Sequence, residues 1–279
     1  MKKRLKIAFD TSLLRSYSLK DALSKLAEIG YANVEIGLAH YLSFEATEED
    51  TRNAKQVLKD SGMRLAALIA IFPVSYADEE VRQIGVKQYV NAISQVKSLD
   101  CNMLAAELMG EPENFESCSR AFKKSMKELV PILEKENVTL CYEAHPGDFV
   151  ELNDKAVDII KEINSPNLRY LYCASHSFIL GKDPVEMIEH ARDVLGYVHI
   201  ADSLRPEKTF FSGRYFPKVR PHQHLTPGTG DVEVKKIISA LHNVGYQGYL
   251  TINPFSMFTA PLEAARDSKI MVERMMNSI

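Results

Sequence analysis

The sequence predicts an α/β fold, a single (β/α)8 TIM barrel with its active site at the carboxyl ends of the strands. Short, nearly continuous apolar runs alternate with longer segments of helical periodicity along the whole chain. Such runs are typical of parallel strands that are buried on both faces. Eight repeats of strand and helix favour closure into a barrel over an open sheet. We therefore expect one domain over residues 1–279.

Eight segments carry the strand pattern, and helical patterns lie between them. The predicted strands are Leu5–Asp10, Asn33–Gly37, Arg64–Ile71, Asn102–Glu107, Val138–Glu143, Leu168–Cys173, Tyr197–Ala201 and Tyr249–Asn253. Residues 18–30 predict the first helix, because their apolar residues recur at helical spacing and the segment closes on Gly30. No glycine-rich phosphate fingerprint follows the first strand, which weakens a dinucleotide-binding alternative.

The connection over residues 202–230 departs from this rhythm, because it shows no convincing helical pattern. Loops of this length in compact domains are usually functional or disordered. Its aromatic residues and its glycine-containing turn favour an ordered loop over the barrel mouth. Its basic residues are Arg205, Lys208, Arg214, Lys218 and Arg220. They suggest an anionic or phosphorylated ligand, although a solvated basic loop explains them at least as well.

Composition excludes several classes of protein. The chain is 46% apolar and 25% charged, which is typical of a globular domain. A net charge of -3 and the absence of a basic stripe argue against a nucleic-acid partner. No apolar run is long enough to span a bilayer, and no export signal precedes the first strand. The four cysteines form no C-x-x-C pair. We therefore expect reduced thiols and a cytoplasmic location.

Four polar residues stand at or near the ends of predicted strands: Glu143, Cys173, His199 and Asn253. Strand ends of a barrel meet at one face, so these side chains predict a common site. A buried carboxylate needs a partner or a metal, and histidine is the commonest metal ligand. A thiolate suits Zn²⁺ better than Mg²⁺ or Mn²⁺. An asparagine amide binds a metal weakly or bonds a sugar hydroxyl, but it cannot act as a base.

Three of these residues also have a purely structural explanation: Glu143 as a salt-bridged carboxylate, His199 as a satisfied core histidine and Cys173 as a buried cysteine that fills space. His222 and His224 project to the same side if their segment is extended, where they would replace a ligand or contact substrate. They are equally well explained as exposed loop histidines. Glu35 and Glu107 are either further acids of the site or salt-bridged barrel residues.

Five short motifs give the chain a family resemblance over essentially its whole length. They are Glu143-Ala-His-Pro, Cys173-Ala-Ser-His176, His199-Ile-Ala-Asp202, Pro227-Gly-Thr-Gly-Asp and Gly245-Tyr-Gln-Gly248. In this order they resemble the xylose isomerase-like TIM-barrel superfamily of sugar isomerases and epimerases. The stretch from His199 to Gly230 is most similar to a branch that includes an inositol-catabolism protein.

The resemblance implies roles for individual residues. Glu143 matches a metal-binding glutamate that also serves as a base, and His199 matches the ligand histidine. Cys173 stands where the family usually has a metal-binding aspartate. Asn253 replaces the last metal-binding glutamate, which is the second acid/base. By the same comparison, His176 and Arg205 match residues that contact or lie near the substrate.

The resemblance implies a divalent metal and a small sugar or polyol, free or phosphorylated, as the ligand. Because two of the four ligands are changed, Zn²⁺ fits better than Mg²⁺ or Mn²⁺. It would bind through Glu143, Cys173 and His199, with Asn253, a loop histidine or water as the fourth group. A metal-free site is the alternative.

We expect an isomerase or epimerase with carboxylate acid/base chemistry, with Glu143 as the catalytic base. One-base dehydration of an inosose or ketose is an alternative. A non-catalytic carbohydrate-binding descendant is another. An abasic-site endonuclease of the same superfamily has less support, because the ligands are too few and the charge does not suit DNA. A homo-oligomer is compatible with the sequence, which does not determine it.

Overall fold

The computed structural model describes residues 5–38, 41–205 and 223–279. Eight parallel strands form a closed barrel in which each strand pairs with the next and the last pairs with the first. The strands are Lys6–Asp10 (β1), Asn33–Gly37 (β2), Arg64–Ile69 (β3), Met103–Glu107 (β4), Thr139–Glu143 (β5), Leu168–Cys173 (β6), Leu195–Ile200 (β7) and Tyr249–Ile252 (β8). The predicted (β/α)8 barrel is confirmed.

Helices connect the strands on the outside of the barrel. They are Leu19–Ile29 (α1), Glu48–Asp60 (α2), Glu79–Ser98 (α3), Phe115–Glu136 (α4), Asn153–Ile163 (α5), Ala174–Ile179 (α6), Pro184–Ala191 (α7), Val234–Asn243 (α8) and Pro261–Asn277 (α9). Local signals set their ends. The Ser18 side chain caps α1, and Gly30 ends it with a φ of 96°. Within the described residues, no helix is long and apolar enough to cross a membrane.

Two strands, β3 and β7, differ from their predicted bounds by two residues at one end. Four others differ by one residue: β1, β4 and β5 begin one residue later than predicted, and β8 ends one residue earlier. β3 ends at Ile69 rather than Ile71, and the chain then turns toward Pro73. β7 begins at Leu195, two residues before the predicted start, because Gly196 carries no strand signal. A Cβ at Gly196 would lie 2.5 Å from the Cβ of Arg169, so only glycine lets the two backbones approach.

The core has two layers. A large apolar layer fills the space between the strands and the helices. A smaller cluster fills the inside of the barrel; its members are Ala8, Ala66, Ala67, Ala105, Cys141, Leu171, Cys173 and Tyr197. Four of these residues are alanines, so the interior leaves room for polar side chains from the strand ends.

Asp202 joins the two described ends of the long connection after β7. Its Oδ1 accepts hydrogen bonds from the backbone of Ser203 at 2.8 Å and Val232 at 2.9 Å. Its Oδ2 accepts one from Gly228 at 2.8 Å. The backbones of Asp202 and Leu225 also bond in both directions. Residues 206–222 lie outside the described part of the chain, so the ordered loop over 202–230 and the single domain stay predictions.

We expect Asp202→Ala to lower the free energy of unfolding by about 2–4 kcal/mol, because three backbone donors lose their acceptor, a buried carboxylate. Urea denaturation followed by circular dichroism measures this loss. The exposed neighbour Glu233 is the control, and Glu233→Ala should change stability by less than about 0.5 kcal/mol. Equal losses for both variants would contradict the role assigned to Asp202.

Candidate active site

The carboxyl ends of β4 to β7 bring together four chemically active side chains. The strand register places Glu107 opposite Glu143, and Cys173 opposite His199. Glu143, Cys173 and His199 are buried, and their ligand atoms lie within 4.8 Å of one another. A carboxylate oxygen, a thiol sulfur and an imidazole nitrogen at this spacing can hold a Zn²⁺ ion.

Glu35 fixes the orientation of the His199 ring. The Nε2 atom of His199 lies 3.0 and 3.2 Å from the two carboxylate oxygens of Glu35, which is fully buried on β2. A carboxylate only accepts, so Nε2 carries the proton and Nδ1 is directed to the other side. Nδ1 lies 3.9 Å from the Oε2 atom of Glu143. A carboxylate behind a histidine is typical of metal sites.

The carboxylates around His199 favour its charged imidazolium form in the absence of a metal. Burial lowers the pKa of His199, but the charges of Glu35 and Glu143 outweigh it and hold that pKa well above its usual value. Asp10 lies in the same interior. Burial, together with the charge of Glu35, raises the pKa of Asp10 to about 7.

Glu143 Oε2, His199 Nδ1 and Asn253 Oδ1 are among the buried polar atoms of the site that have no hydrogen-bond partner within the described residues. Such atoms cost free energy unless a ligand, ion or water satisfies them. All three atom types are ligands that divalent cations accept. The donor set therefore fits a metal ion.

A chain of buried polar groups lies beside this site. The Nε2 atom of His224 is 2.9 Å from His176 Nε2 and 3.0 Å from Ser175 Oγ. His224 Nδ1 lies 3.1 Å from the carbonyl oxygen of Asn253, so Nδ1 carries the proton and Nε2 accepts. Cys173 Sγ lies 3.4 Å from Ser175 Oγ. Cys173, His176 and His224 thus form a second group at metal-binding spacing.

The Cys173 thiol belongs to both groups. Burial is the main reason that its pKa is raised, with the charge of Glu143 adding to it. Without a metal this residue is therefore a neutral thiol, and a bound metal would deprotonate it.

Two further residues of the site, His145 and Asp148, were missed by the sequence analysis. Asp148 Oδ2 lies 3.2 Å from His145 Nδ1, and both stand near Glu107. The available signal was their position directly after β5, two and five residues beyond Glu143. Burial is the main cause that raises the pKa of Glu107 to about 7. For His145 burial acts in the opposite direction, but Asp148, Glu107 and Glu143 outweigh it and raise the pKa to about 9.

The structure brings most of the predicted site residues to one place. Buried at the barrel mouth are Glu143, Cys173, His176, His199, His224 and Asn253. Arg205 is exposed, and its backbone N–H donates to Asp231 Oδ2 at 3.1 Å, so its described bonds do not join it to that buried set. His222 lies outside the described residues. A cavity of about 580 Å³ opens above the site and reaches Glu107, Glu143 and His199.

This fold and this site define a class of protein. Residues 23–274 match the family described as Xylose isomerase-like TIM barrel. The chain belongs to that family.

The chain is similar in sequence to two curated enzymes. The chain is 22% identical over 259 residues to inosose dehydratase of Geobacillus kaustophilus, with 85% of this chain and 80% of that one covered. It is 22% identical over 252 residues to D-psicose 3-epimerase of Enterocloster bolteae, with coverage of 85% and 77%.

Solved structures show the same fold. The apo crystal structure of 3-keto-D-glucoside 4-epimerase from E. coli has a TM-score of 0.80 at 16% identity, covering 97% of this chain and 100% of that one. D-psicose 3-epimerase with D-tagatose from Clostridium cellulolyticum H10 has a TM-score of 0.77 at 17% identity, covering 98% and 96%. At these identities the similarity shows the fold.

We expect Asp148→Asn to lower the pKa of His145 by about one unit or more, because the partner charge is removed while burial remains. NMR titration of the histidine ring protons measures this shift. The folded-state pKa of about 9 exceeds the reference value of 6.5. The resulting stabilisation is therefore complete below about pH 6.5 and is lost as the pH rises through about 9.

The free energy of unfolding, measured against pH for the wild type and for Asp148→Asn, tests the same link between the titration of His145 and stability. Between about pH 6.5 and 9 the wild type should lose more stability than Asp148→Asn. Parallel curves over that interval would show that Asp148 does not control the titration of His145.

Proposed function

We propose that this protein is a metal-dependent enzyme that removes a proton next to the carbonyl group of a small sugar or polyol. One observation carries the proposal: Glu143 Oε2 and His199 Nδ1 face each other at 3.9 Å in a buried site, with His199 oriented by Glu35. The family of the chain supports it, because its relatives include proteins named inosose dehydratase and D-psicose 3-epimerase.

Zn²⁺ is the proposed metal. Glu143, Cys173 and His199 would hold it, with Asn253 or a water as the fourth ligand. A thiolate in the ligand set favours zinc over the harder Mg²⁺ and Mn²⁺. When bound, the ion would polarise the substrate's carbonyl oxygen and so acidify the adjacent C–H bond.

Glu143 is the proposed base that takes the proton. Inversion at carbon needs a second titratable group on the opposite face, and Asn253 cannot supply one from its position. This difference favours a process that uses one base: 1,2-isomerisation on one face, or dehydration in which a hydroxyl group leaves as water. Glu107 lines the same cavity and is the nearest additional carboxyl group in the strand register. An epimerase in which another residue returns the proton is the alternative form of the same chemistry.

His176 and His224 are proposed to contact the substrate, because their bonded pair lies beside Glu143. His176 Nδ1 is 3.5 Å from Glu143 Oε2. Four points stay predictions: a role of Arg205 and His222 in substrate binding, a phosphorylated substrate, a homo-oligomer and a cytoplasmic location.

A non-catalytic carbohydrate-binding protein is the second candidate function. The observation that favours it is the replacement of two expected carboxylates by Cys173 and Asn253. This candidate requires no metal and no turnover, so the two experiments below separate it from the enzyme.

The chain purified without chelator should contain close to one Zn²⁺ per chain, measured by plasma mass spectrometry. Cys173→Ala and His199→Ala should each lose most of that zinc. Cys141→Ala is the matched control, because Cys141 is a buried cysteine of the barrel interior outside both metal-binding groups. A protein without metal that shows no turnover of ketoses or inososes would leave only the binding function.

Glu143→Gln should reduce turnover about 100-fold or more, because glutamine cannot accept the proton. Incorporation of solvent deuterium into a panel of ketoses and inososes, followed by NMR, measures the proton removal directly. Glu189→Gln on the exposed face of α7 is the control and should keep full activity. Unchanged deuterium incorporation in Glu143→Gln would remove Glu143 as the base.

A further inference from the structure

The cavity above the site has two unlike walls. One wall carries Glu107, Glu143 and His199, which are polar groups of the proposed chemistry. Asp10, at the end of β1, is a further buried carboxyl group of the cavity. The other wall is built by the connections after β2, β3 and β8 and by the start of α3. Its apolar members include Leu38, Phe44, Ile71, Phe72, Ile84 and Phe258.

Two backbone N–H groups beside the apolar wall, and the nearby Tyr89 hydroxyl, already have partners and do not donate to sugar hydroxyl groups. The N–H of Leu38 donates to the carbonyl of Ile69 at 3.1 Å, and that of Ala70 donates to Ala105 at 2.8 Å. The Tyr89 hydroxyl donates to the Ala70 carbonyl at 2.8 Å. A hydroxyl group placed against its apolar side chains, away from Ser12, Arg15 and Gln88, would lose its bonds to water without replacement.

Three large apolar side chains of this wall are exposed. Ile71 is 37% accessible, Ile84 55% and Phe258 49%, and all three line the same cavity. Single exposed apolar residues are common, but a group that rims one cavity marks a binding surface. An apolar ligand group that covered them would gain free energy from the area removed from water.

Close packing holds this wall in place. The Phe72 ring meets the edges of Phe44 and Tyr89, with ring centroids 6.1 and 4.9 Å apart. A Cβ at Gly85 would lie 2.8 Å from the Pro73 backbone, so glycine allows α3 to approach the wall closely. Ile84, beside Gly85, lies on the helical turn that borders the cavity.

The polar side chains away from the carboxylates do not form a phosphate site. They are Ser12, Arg15 and Gln88. Arg15 is the only lysine or arginine among the described lining residues, and its guanidinium group lies 4.5 Å from the centre of the Phe258 ring. This cation–π contact holds the one cationic group of the described lining at the rim beside Phe258.

We propose that the natural ligand is a sugar or polyol that carries an apolar, ring-sized substituent. The substituent lies on the wall formed by Phe44, Phe72, Ile84 and Phe258, and the sugar lies at Glu143. The sugar placement rests on the proposed function. The volume of about 580 Å³ falls within the range of about 300–1,000 Å³ for sites that enclose larger organic ligands.

Matched pairs of ligands test the proposal on the full-length protein. Calorimetry would compare methyl and phenyl β-glycosides of several pyranoses, which differ only in the apolar group. At least one phenyl member should bind about tenfold more tightly than its methyl partner, because the ring buries apolar area on the wall. Ile84→Gln should remove most of that gain and leave methyl-glycoside binding unchanged.

Val90→Gln is the matched control, because Val90 is an exposed apolar residue of α3 that does not line the cavity. It should leave the phenyl preference intact. Equal binding of phenyl and methyl partners, no detectable phenyl-glycoside binding, or equal effects of the two variants would each overturn the proposal. Because both side chains are exposed, neither substitution should impair folding, which circular dichroism checks.

Zinc content measured on the same preparations separates this proposal from the proposed function. The protein could show a phenyl preference that depends on Ile84 and yet contain no zinc and show no turnover. That result would support the apolar ligand group and contradict the proposed enzymatic function. Conversely, the protein could contain zinc that is lost in Cys173→Ala and yet show no phenyl preference. That result would support the metal site and contradict the apolar ligand group.

Discussion

The hydrogen-bonded pair of Glu35 and His199 crosses the inside of the barrel from β2 to β7, and the candidate site depends on it. Two buried charged groups are costly unless they satisfy each other, and here the carboxylate accepts from Nε2 at 3.0 Å. The pair directs Nδ1 toward Glu143, and so decides which imidazole nitrogen faces the cavity. A small-residue barrel interior gives these side chains the space to meet.

Cys173 and Asn253 stand where the family resemblance implies carboxylates, and these two replacements bear on the metal and the mechanism proposed for the site. Cys173 offers a soft ligand where a carboxylate would favour harder cations. Asn253 offers an amide oxygen but no titratable group. Cys173 keeps a possible ligand atom at metal-binding spacing, whereas two-base chemistry would lack a titratable group at Asn253. Glu107 and His145 add titrating groups near Glu143. The sequence analysis left two interpretations of Glu107 open and assigned no role to His145.

The proposed function and the proposed ligand assign reaction to one wall of the cavity and binding to the other. In the proposed function, the carboxylates and imidazoles at the ends of β4 to β7 provide the chemistry, as expected at this face of a barrel. The connections after β2, β3 and β8 provide an apolar surface with few free polar groups. Specificity for the part of the ligand that does not react would therefore come from loops, while the reacting part meets groups on rigid strands.

The sequence by itself determined the eight strands, the barrel and the set Glu143, Cys173 and His199, because apolar runs and strand-end residues are local patterns. It placed β7 two residues late because Gly196 has no strand signal, although a close approach to β6 requires it. The sequence left two interpretations of Glu35 open. Only the fold shows that its partner is His199, 164 residues away along the chain. The contact of His176 with His224 and the apolar wall likewise join distant segments. Such contacts depend on how the barrel closes, which no local pattern encodes.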